Sequence, residues 1–302
     1  MIRNTRKGTV FIMDFLPYLL AGLSVGSQYA LIAIGYTMVY GILRLINFAH
    51  GDLFMVAGIL MVYVSASMPW YISIPLVLIL TAVIGFTIER CAYAPLRSAP
   101  RMSVMVSAIG VSYLLQNLVY YVTGGLSKQY PELPLLSTRV SFFGIHDKLV
   151  IFVTPVIVVI LMVLLMLLIN RTKIGLAMRA AAKDFSTARL MGIRINRVIS
   201  TTFVIGSFLA AVGSVLYFSK YTGVQPSSGG LPGLKAFVAA VFGGIGSIPG
   251  AVVGGILIGL IENIAVAVGL STYKDAFTFI LLIIILVVKP TGLFGEKATE
   301  KV

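Results

Sequence analysis

Val156-Ile157-Val158-Val159-Ile160-Leu161-Met162-Val163-Leu164-Leu165 carries no polar side chain on any side. Strands of an outer-membrane barrel alternate lipid-facing and lumen-facing residues, so polar groups would recur at every second position. A helix closes its own backbone hydrogen bonds and can be apolar all round in hydrocarbon, where an unpaired N–H or C=O is costly. The run therefore reads as part of a membrane-spanning helix, inside a segment, 149–170, free of Asp, Glu, Lys and Arg.

Five further segments share that property: 15–43, 53–88, 102–127, 198–219 and 236–261. Each supplies the ~20 residues needed to cross a bilayer. Across the 302 residues 59% are apolar and 11% charged, with a mean hydropathy of +1.02, whereas soluble domains carry about 25% charged residues. Helices are expected at 15–42, 51–66, 71–89, 102–123, 149–169, 198–218, 233–244, 250–268 and 272–288. The expected fold is an all-α integral membrane protein, a polytopic helical bundle of about eight to ten membrane segments with interrupted helices. Residues 1–14 read as an N-terminal tail, 15–288 as a single transmembrane domain and 289–302 as a C-terminal tail.

In a soluble protein the net charge of +13 would suggest nucleic acid. Here seven of the 23 basic residues lie from Arg171 to Arg197, between two apolar spans, as the positive-inside rule expects of a cytoplasmic loop. The loop 90–101, with Arg90, Arg97 and Arg101, and the tail, with Lys289, Lys297 and Lys301, are assigned to the same side, and 124–148 to the outside. Counting crossings back from 170–197 puts the N-terminus outside, against the pull of Arg3, Arg6 and Lys7. These basic residues precede an apolar stretch as in a signal peptide, but no small-residue cleavage site follows, so the stretch is expected to stay as the first span.

Chemistry of other kinds finds little foothold. Cys91 is the single cysteine and the two histidines, His50 and His146, are far apart, so no metal site or cofactor is expected. No G-x-x-x-x-G-K-[ST] loop occurs; Gly229-Gly230-Leu231-Pro232-Gly233-Leu234-Lys235 lacks the required ending, so the chain is not expected to hydrolyse nucleotide. No Ser/His or paired-carboxylate arrangement stands at interpretable spacing.

Two apolar regions are interrupted: Asn47-Phe48-Ala49-His50-Gly51-Asp52 and Gly243-Gly244-Ile245-Gly246-Ser247-Ile248-Pro249-Gly250. Transporters break helices where a solute passes, because unwound backbone is tolerated at a wet cavity. Both can equally be turns between spans, with Asp52 stabilising the positive start of the next helix. Within the spans Gln28, Gln116, Asn117, Glu262 and Asn263 stand in apolar surroundings. The amides suit hydrogen bonding between helices, and Glu262 is the stronger functional candidate.

The basic loop reads as a short surface helix from Arg179 to Leu190, ended by Gly192. Its wording, Met178-Arg179-Ala180-Ala181-Ala182, Asp184, Ala188 and Met191-Gly192-Ile193, resembles the cytoplasmic loop of ABC-importer permeases for branched-chain amino acids. Tyr29-Ala30-Leu31-Ile32-Ala33-Ile34-Gly35-Tyr36, Ile46-Asn47-Phe48-Ala49-His50-Gly51-Asp52, the run from Lys235-Ala236-Phe237 to Gly250 and Pro290-Thr291-Gly292-Leu293-Phe294-Gly295 resemble the same family, in the same order.

That resemblance implies a subunit of a bacterial inner-membrane importer: this permease, a second homologous permease, two ATP-binding subunits and an extracytoplasmic solute-binding protein. Leucine, isoleucine and valine are the implied cargo. The loop is implied to be the coupling helix that docks on an ATPase subunit, with Arg179, Ala180, Ala181, Asp184, Ala188 and Gly192 as its coupling residues. The translocation pathway is assigned to Asn47, His50, Gly51, Asp52, Gly244, Gly246, Ser247, Glu262 and Asn263. A permease for urea, amides or another amino acid would look similar, and an ion-coupled transporter using Asp52 and Glu262 stays open. A membrane receptor or structural protein leaves the glycine-punctuated interior unexplained.

Overall fold

The computed structural model describes residues 3–44, 47–97, 99–142 and 145–295, with side chains placed from Phe15 onward except those of Arg101 and Phe142. The side chains of Arg3, Arg6 and Lys7, and all of Lys297 and Lys301, lie outside the described residues.

Among the described residues eight helical segments are long and apolar enough to cross a membrane, at the low end of the expected count. They are α1 (Arg3–Leu43), α2 (Ala49–Ser67), α3 (Trp70–Ile88), α4 (Arg101–Thr123), α6 (Leu149–Arg171), α9 (Ile195–Lys220), α11 (Ile248–Ala267) and α12 (Lys274–Val288) with the 3-10 turn before it. Three short helices, α5 (Pro134–Ser137), α7 (Lys173–Lys183) and α8 (Phe185–Leu190), lie between spans. Helix α10 (Gly230–Gly243) has 14 residues, about 21 Å of rise, too short for a ~30 Å hydrocarbon core. Helix α1 begins at Arg3 rather than near Phe15, so its helical part reaches back into the expected tail.

Helices α1, α2 and α9 form the interior, and Ala30 to Ile34 are wholly buried. Lipid tails are as apolar as leucine, so close van der Waals packing has to hold such helices together. The sequence provides for it with glycine: a Cβ on Gly26 would lie 2.7 Å from the Gly255 carbonyl oxygen, and one on Gly255 2.6 Å from the Ala30 nitrogen. Gly22 meets Gly259 while Gly26 meets Gly255, so α1 and α11 run antiparallel. The outer helices instead expose all-apolar faces, as α6 does with Val156, Ile160 and Leu164.

Packing also settles which ends lie together. The Leu293 and Phe294 N–H groups donate to the Phe242 and Gly243 carbonyls at 2.9 Å each, so the end of α10 and the start of α11 share one end of the bundle with Lys289. By the antiparallel contact, Phe15 lies at the opposite end, in agreement with the crossing count made from the sequence. Beyond that opposite end, β1 (Lys128–Gln129) pairs antiparallel with β4 (Gly223–Val224), and β2 (Arg139–Phe142) with β3 (Ile145–Lys148).

Candidate functional site at two helix starts inside the bundle

Helix α2 begins deep in the bundle. His50 lies in a notch between α1 and α9: a Cβ on Gly35 would lie 2.1 Å from His50 Nε2, and one on Gly206 3.4 Å from His50 Cε1. Gly206 is eleven residues past Ile195, the first residue of α9, about 17 Å along it, near half depth. The chain therefore leaves α1 at the basic end and returns inward before α2 starts. Asn47 is buried and its Oδ1 accepts a hydrogen bond from the Tyr93 hydroxyl at 2.6 Å. The Tyr36 ring lies edge-on to His50 with centroids 5.0 Å apart.

A second helix start meets the first. A Cβ on Gly229 would fall 2.4 Å from the Gly51 carbonyl oxygen and 3.1 Å from the Asp52 Cα, and one on Gly51 2.9 Å from the Gly233 Cα. After α9 the chain thus passes through β4, turns inward and starts α10 against α2. The turn-rich Gln225-Pro226-Ser227-Ser228-Gly229-Gly230-Leu231-Pro232-Gly233 is the signal that could have revealed this break.

Helix α10 carries a cation that sequence reasoning missed. Lys235 Nζ lies 2.8 Å from Glu262 Oε1 and 2.6 Å from Asp275 Oδ1. Glu262 also accepts from the Thr278 hydroxyl at 2.7 Å and the Tyr29 hydroxyl at 3.2 Å. Glu262 faces the interior, and its oxygens are taken up by protein. Asn263 turns its amide back to the Gly259 carbonyl at 2.9 Å. The clue was Lys235 itself, a lone lysine bordering the charge-free segment 236–261.

The other interrupted region lies elsewhere. Gly244 and Gly246 have φ of +100° and +102°, a backbone glycine adopts readily, and Ser247 caps α11 by accepting from the Gly250 N–H at 3.2 Å. This turn sits at the basic end against Gly292 and Gly295 of the tail, a full α10 length from Gly51. The structure brings Asn47, His50, Gly51 and Asp52 together with the start of α10, not with Gly244, Gly246 and Ser247.

The basic loop also differs from expectation. In place of one helix from Arg179 to Leu190 there are two, because Asp184 is extended (φ −159°, ψ 115°). Its carboxylate accepts from the Ser186 N–H at 2.9 Å and from the Ser186 and Thr187 hydroxyls at 2.6 Å each. An Asp that bonds to the backbone just after it caps a new helix and ends the old one. Those hydroxyls hold the Asp184 carboxyl well below the usual carboxylate range. Gly192, at φ +81°, ends α8 as expected. Ala181 and Ala188 are buried within the chain, a correction to their expected place against a partner, and Ala180 is half-buried. The exposed groups include Arg179, Arg189, Phe185, Leu190 (86% accessible) and Met191 (79%).

Between this loop and the first helix break lies a cleft of about 830 Å³, lined by Leu43, Tyr93, Arg97, Phe185, Arg189 and Asn196. Its wall is a π-helical turn, Glu89–Tyr93, that continues α3. Glu89 is fully buried, pairs with Arg97 and accepts from the Ser200 hydroxyl at 2.6 Å; Arg97 also donates to Asn196. Such stretches occur mostly as single-turn bulges in α-helices, frequently at functional sites. This one joins α9 near the basic loop to Asn47 through Tyr93.

Residues 18–286 match the family model described as "Branched-chain amino acid transport system / permease component". The chain is 42% identical to the high-affinity branched-chain amino acid transport system permease protein BraD of Pseudomonas aeruginosa, over 96% of this chain and 99% of the relative. It is 40% identical to LivH of Salmonella typhimurium and 39% to LivH of Escherichia coli, each over 95% of this chain and 98% of the relative; both bear the same description as BraD.

Proposed function

The chain belongs to the permease components of branched-chain amino acid transport systems, and from that premise we propose that it forms part of the path by which leucine, isoleucine and valine enter a bacterium. It works in the inner membrane with a second permease, two ATP-binding subunits that hydrolyse the nucleotide, and a solute-binding protein. It has no ATPase site of its own. The observation that carries this reading is the meeting of two helix starts at Gly51 and Gly229 inside the bundle. Helix N-termini present positive dipole ends and free N–H groups, the chemistry that receives the carboxylate of an amino acid in mid-membrane.

The pathway centres on Asn47, His50, Gly51 and Asp52, with Gly244, Gly246 and Ser247 at its cytoplasmic edge. Glu262 supports it from behind by fixing α10 through Lys235, with Asn263 beside it on α11. Coupling enters through α8 and the residue after it, where exposed Phe185, Leu190 and Met191 meet an ATP-binding subunit, with Arg179 and Arg189 at the rim. Motion then reaches Asn47 through Arg97, Glu89 and Tyr93. The test is reconstitution with the partner subunits in proteoliposomes. ATP-dependent uptake of labelled leucine, suppressed by unlabelled isoleucine and valine but not by urea or ribose, is expected; suppression by urea instead would assign another cargo.

A further inference from the structure

Among the described residues three carboxylates are buried within the bundle: Glu89, Glu262 and Asp52. Among the described residues Glu89 pairs with Arg97 and Glu262 with Lys235, while Asp52 has no cation within ion-pair distance. A charge in the bilayer interior without a counter-charge is strongly disfavoured and marks function. Asp52 does not cap α2 either: the N-cap is Phe48, with no side-chain cap bond. Its Oδ1 accepts instead from Gln116 Nε2 of α4 at 2.9 Å, and Gln116 in turn reaches the Ser112 hydroxyl at 3.3 Å. Helix α4 is peripheral, exposing Tyr113, Asn117 and Tyr121 as well as Leu114 and Leu118, where α6 exposes Val156, Ile160 and Leu164.

We infer that Asp52, flanked by Gln116 and Ser112, receives the α-ammonium group of the amino acid in transit. The neighbouring chemistry completes a site for a zwitterion. The Asp52 backbone abuts Gly229, so the positive start of α10 lies one residue away to take the carboxylate while Asp52 takes the ammonium. An anion and a dipole end side by side match the two charges of one small molecule, and neither alone would select it. This inference rests on the transport reading above and specifies the binding chemistry at its centre.

Two measurements test it. In proteoliposomes containing the whole importer, Asp52→Asn keeps the volume and still accepts the Gln116 bond but removes the charge. Leucine uptake should fall about tenfold or more. Asp52→Glu should recover much of the uptake. Wild-type uptake by Asp52→Asn would reduce Asp52 to a packing group and overturn the inference. The second measurement needs no variant: a hydrophobic carbodiimide is reacted with the wild-type complex and its adduct at Asp52 is followed by mass spectrometry. Leucine and 3-methylbutylamine, which carry an ammonium, should slow labelling; 4-methylpentanoate, which lacks one, should not. Equal labelling in all three, or protection by sodium ion alone, would overturn the ammonium assignment. A wild-type complex that imports no leucine would instead sink the transport reading, whatever the labelling.

Discussion

Lys235 sits on a helix too short to cross the bilayer, and its ammonium ties that helix to both α11 and α12. Breaking a buried pair leaves an uncompensated charge and costs about 3–5 kcal/mol, so Lys235→Met should lower the melting temperature of the detergent-solubilised chain sharply. Glu262→Leu should also destabilise, by removing one of the two carboxylates on Lys235 and stranding the Tyr29 and Thr278 hydroxyls. Glu262→Gln, whose amide oxygen still accepts from one hydroxyl while its NH2 can donate to the other, should cost less. A Glu262→Leu protein that melts higher than wild type would mean the charge had faced lipid. Tyr93→Phe removes one hydroxyl and one hydrogen bond, worth about 1 kcal/mol between membrane helices. Stability should hardly change, but ATP consumed per leucine imported should rise if Tyr93 transmits motion to Asn47. An unchanged ratio would remove Tyr93 from the coupling route.

At the level of elements, α8 and the α1–α11 crossing carry the strongest expectations. Leu190 and Met191 are the exposed apolar tip of the basic loop. Changing either to Asp should leave the fold intact and release the ATP-binding subunits on purification, since losing a central anchor costs about 2 kcal/mol or more, roughly thirtyfold in affinity. Ala181→Trp should act differently: Ala181 is buried within the chain, so the larger side chain overpacks the bundle and costs about 1–3 kcal/mol of stability. Asp184→Ala should fray α8, whereas Asp184→Asn should keep the cap. Because the Asp184 carboxyl is held below its ordinary range, its contribution is complete above the unfolded value of about 4. It is lost only as pH falls through the lower folded value. Subunit retention should therefore be flat from about pH 5 upward; a loss of docking at pH 6 would require another group. At the crossing, Gly26→Val should separate α1 from α11 and abolish monodisperse behaviour in gel filtration, as its Cβ would strike the backbone at Gly255 and Ile256.

For the molecule as a whole, the two interrupted regions differ in depth, and labelling should report it. In a Cys91→Ser background, a cysteine at buried Ala49 should resist a water-soluble thiol reagent, while one at half-buried Ser247 should react. Trapping the importer with nucleotide should change the reactivity at 49 if α2 and α10 separate there. Constant labelling in every state would remove that junction from the pathway.

The fold class, the positions of the spans and the basic side of the bundle were legible in the sequence, because each follows from local quantities: run length without charge, apolar character all round, and clustered Lys and Arg. The family resemblance was legible for the same reason, being carried by contiguous words such as Asn47 to Asp52. Glu262 could be singled out because an isolated carboxylate in an apolar run is conspicuous by itself. Its partner Lys235 could not, since 27 residues and a reversal of direction separate them and only packing makes them neighbours. Depth was equally hidden. A glycine-rich interruption reads the same whether it turns at the membrane surface, as at Gly244, or inside the bundle, as at Gly51 and Gly229. What decides is which helices lie beside it, through backbone contacts too close for a side chain, and those contacts exist only in the assembled fold.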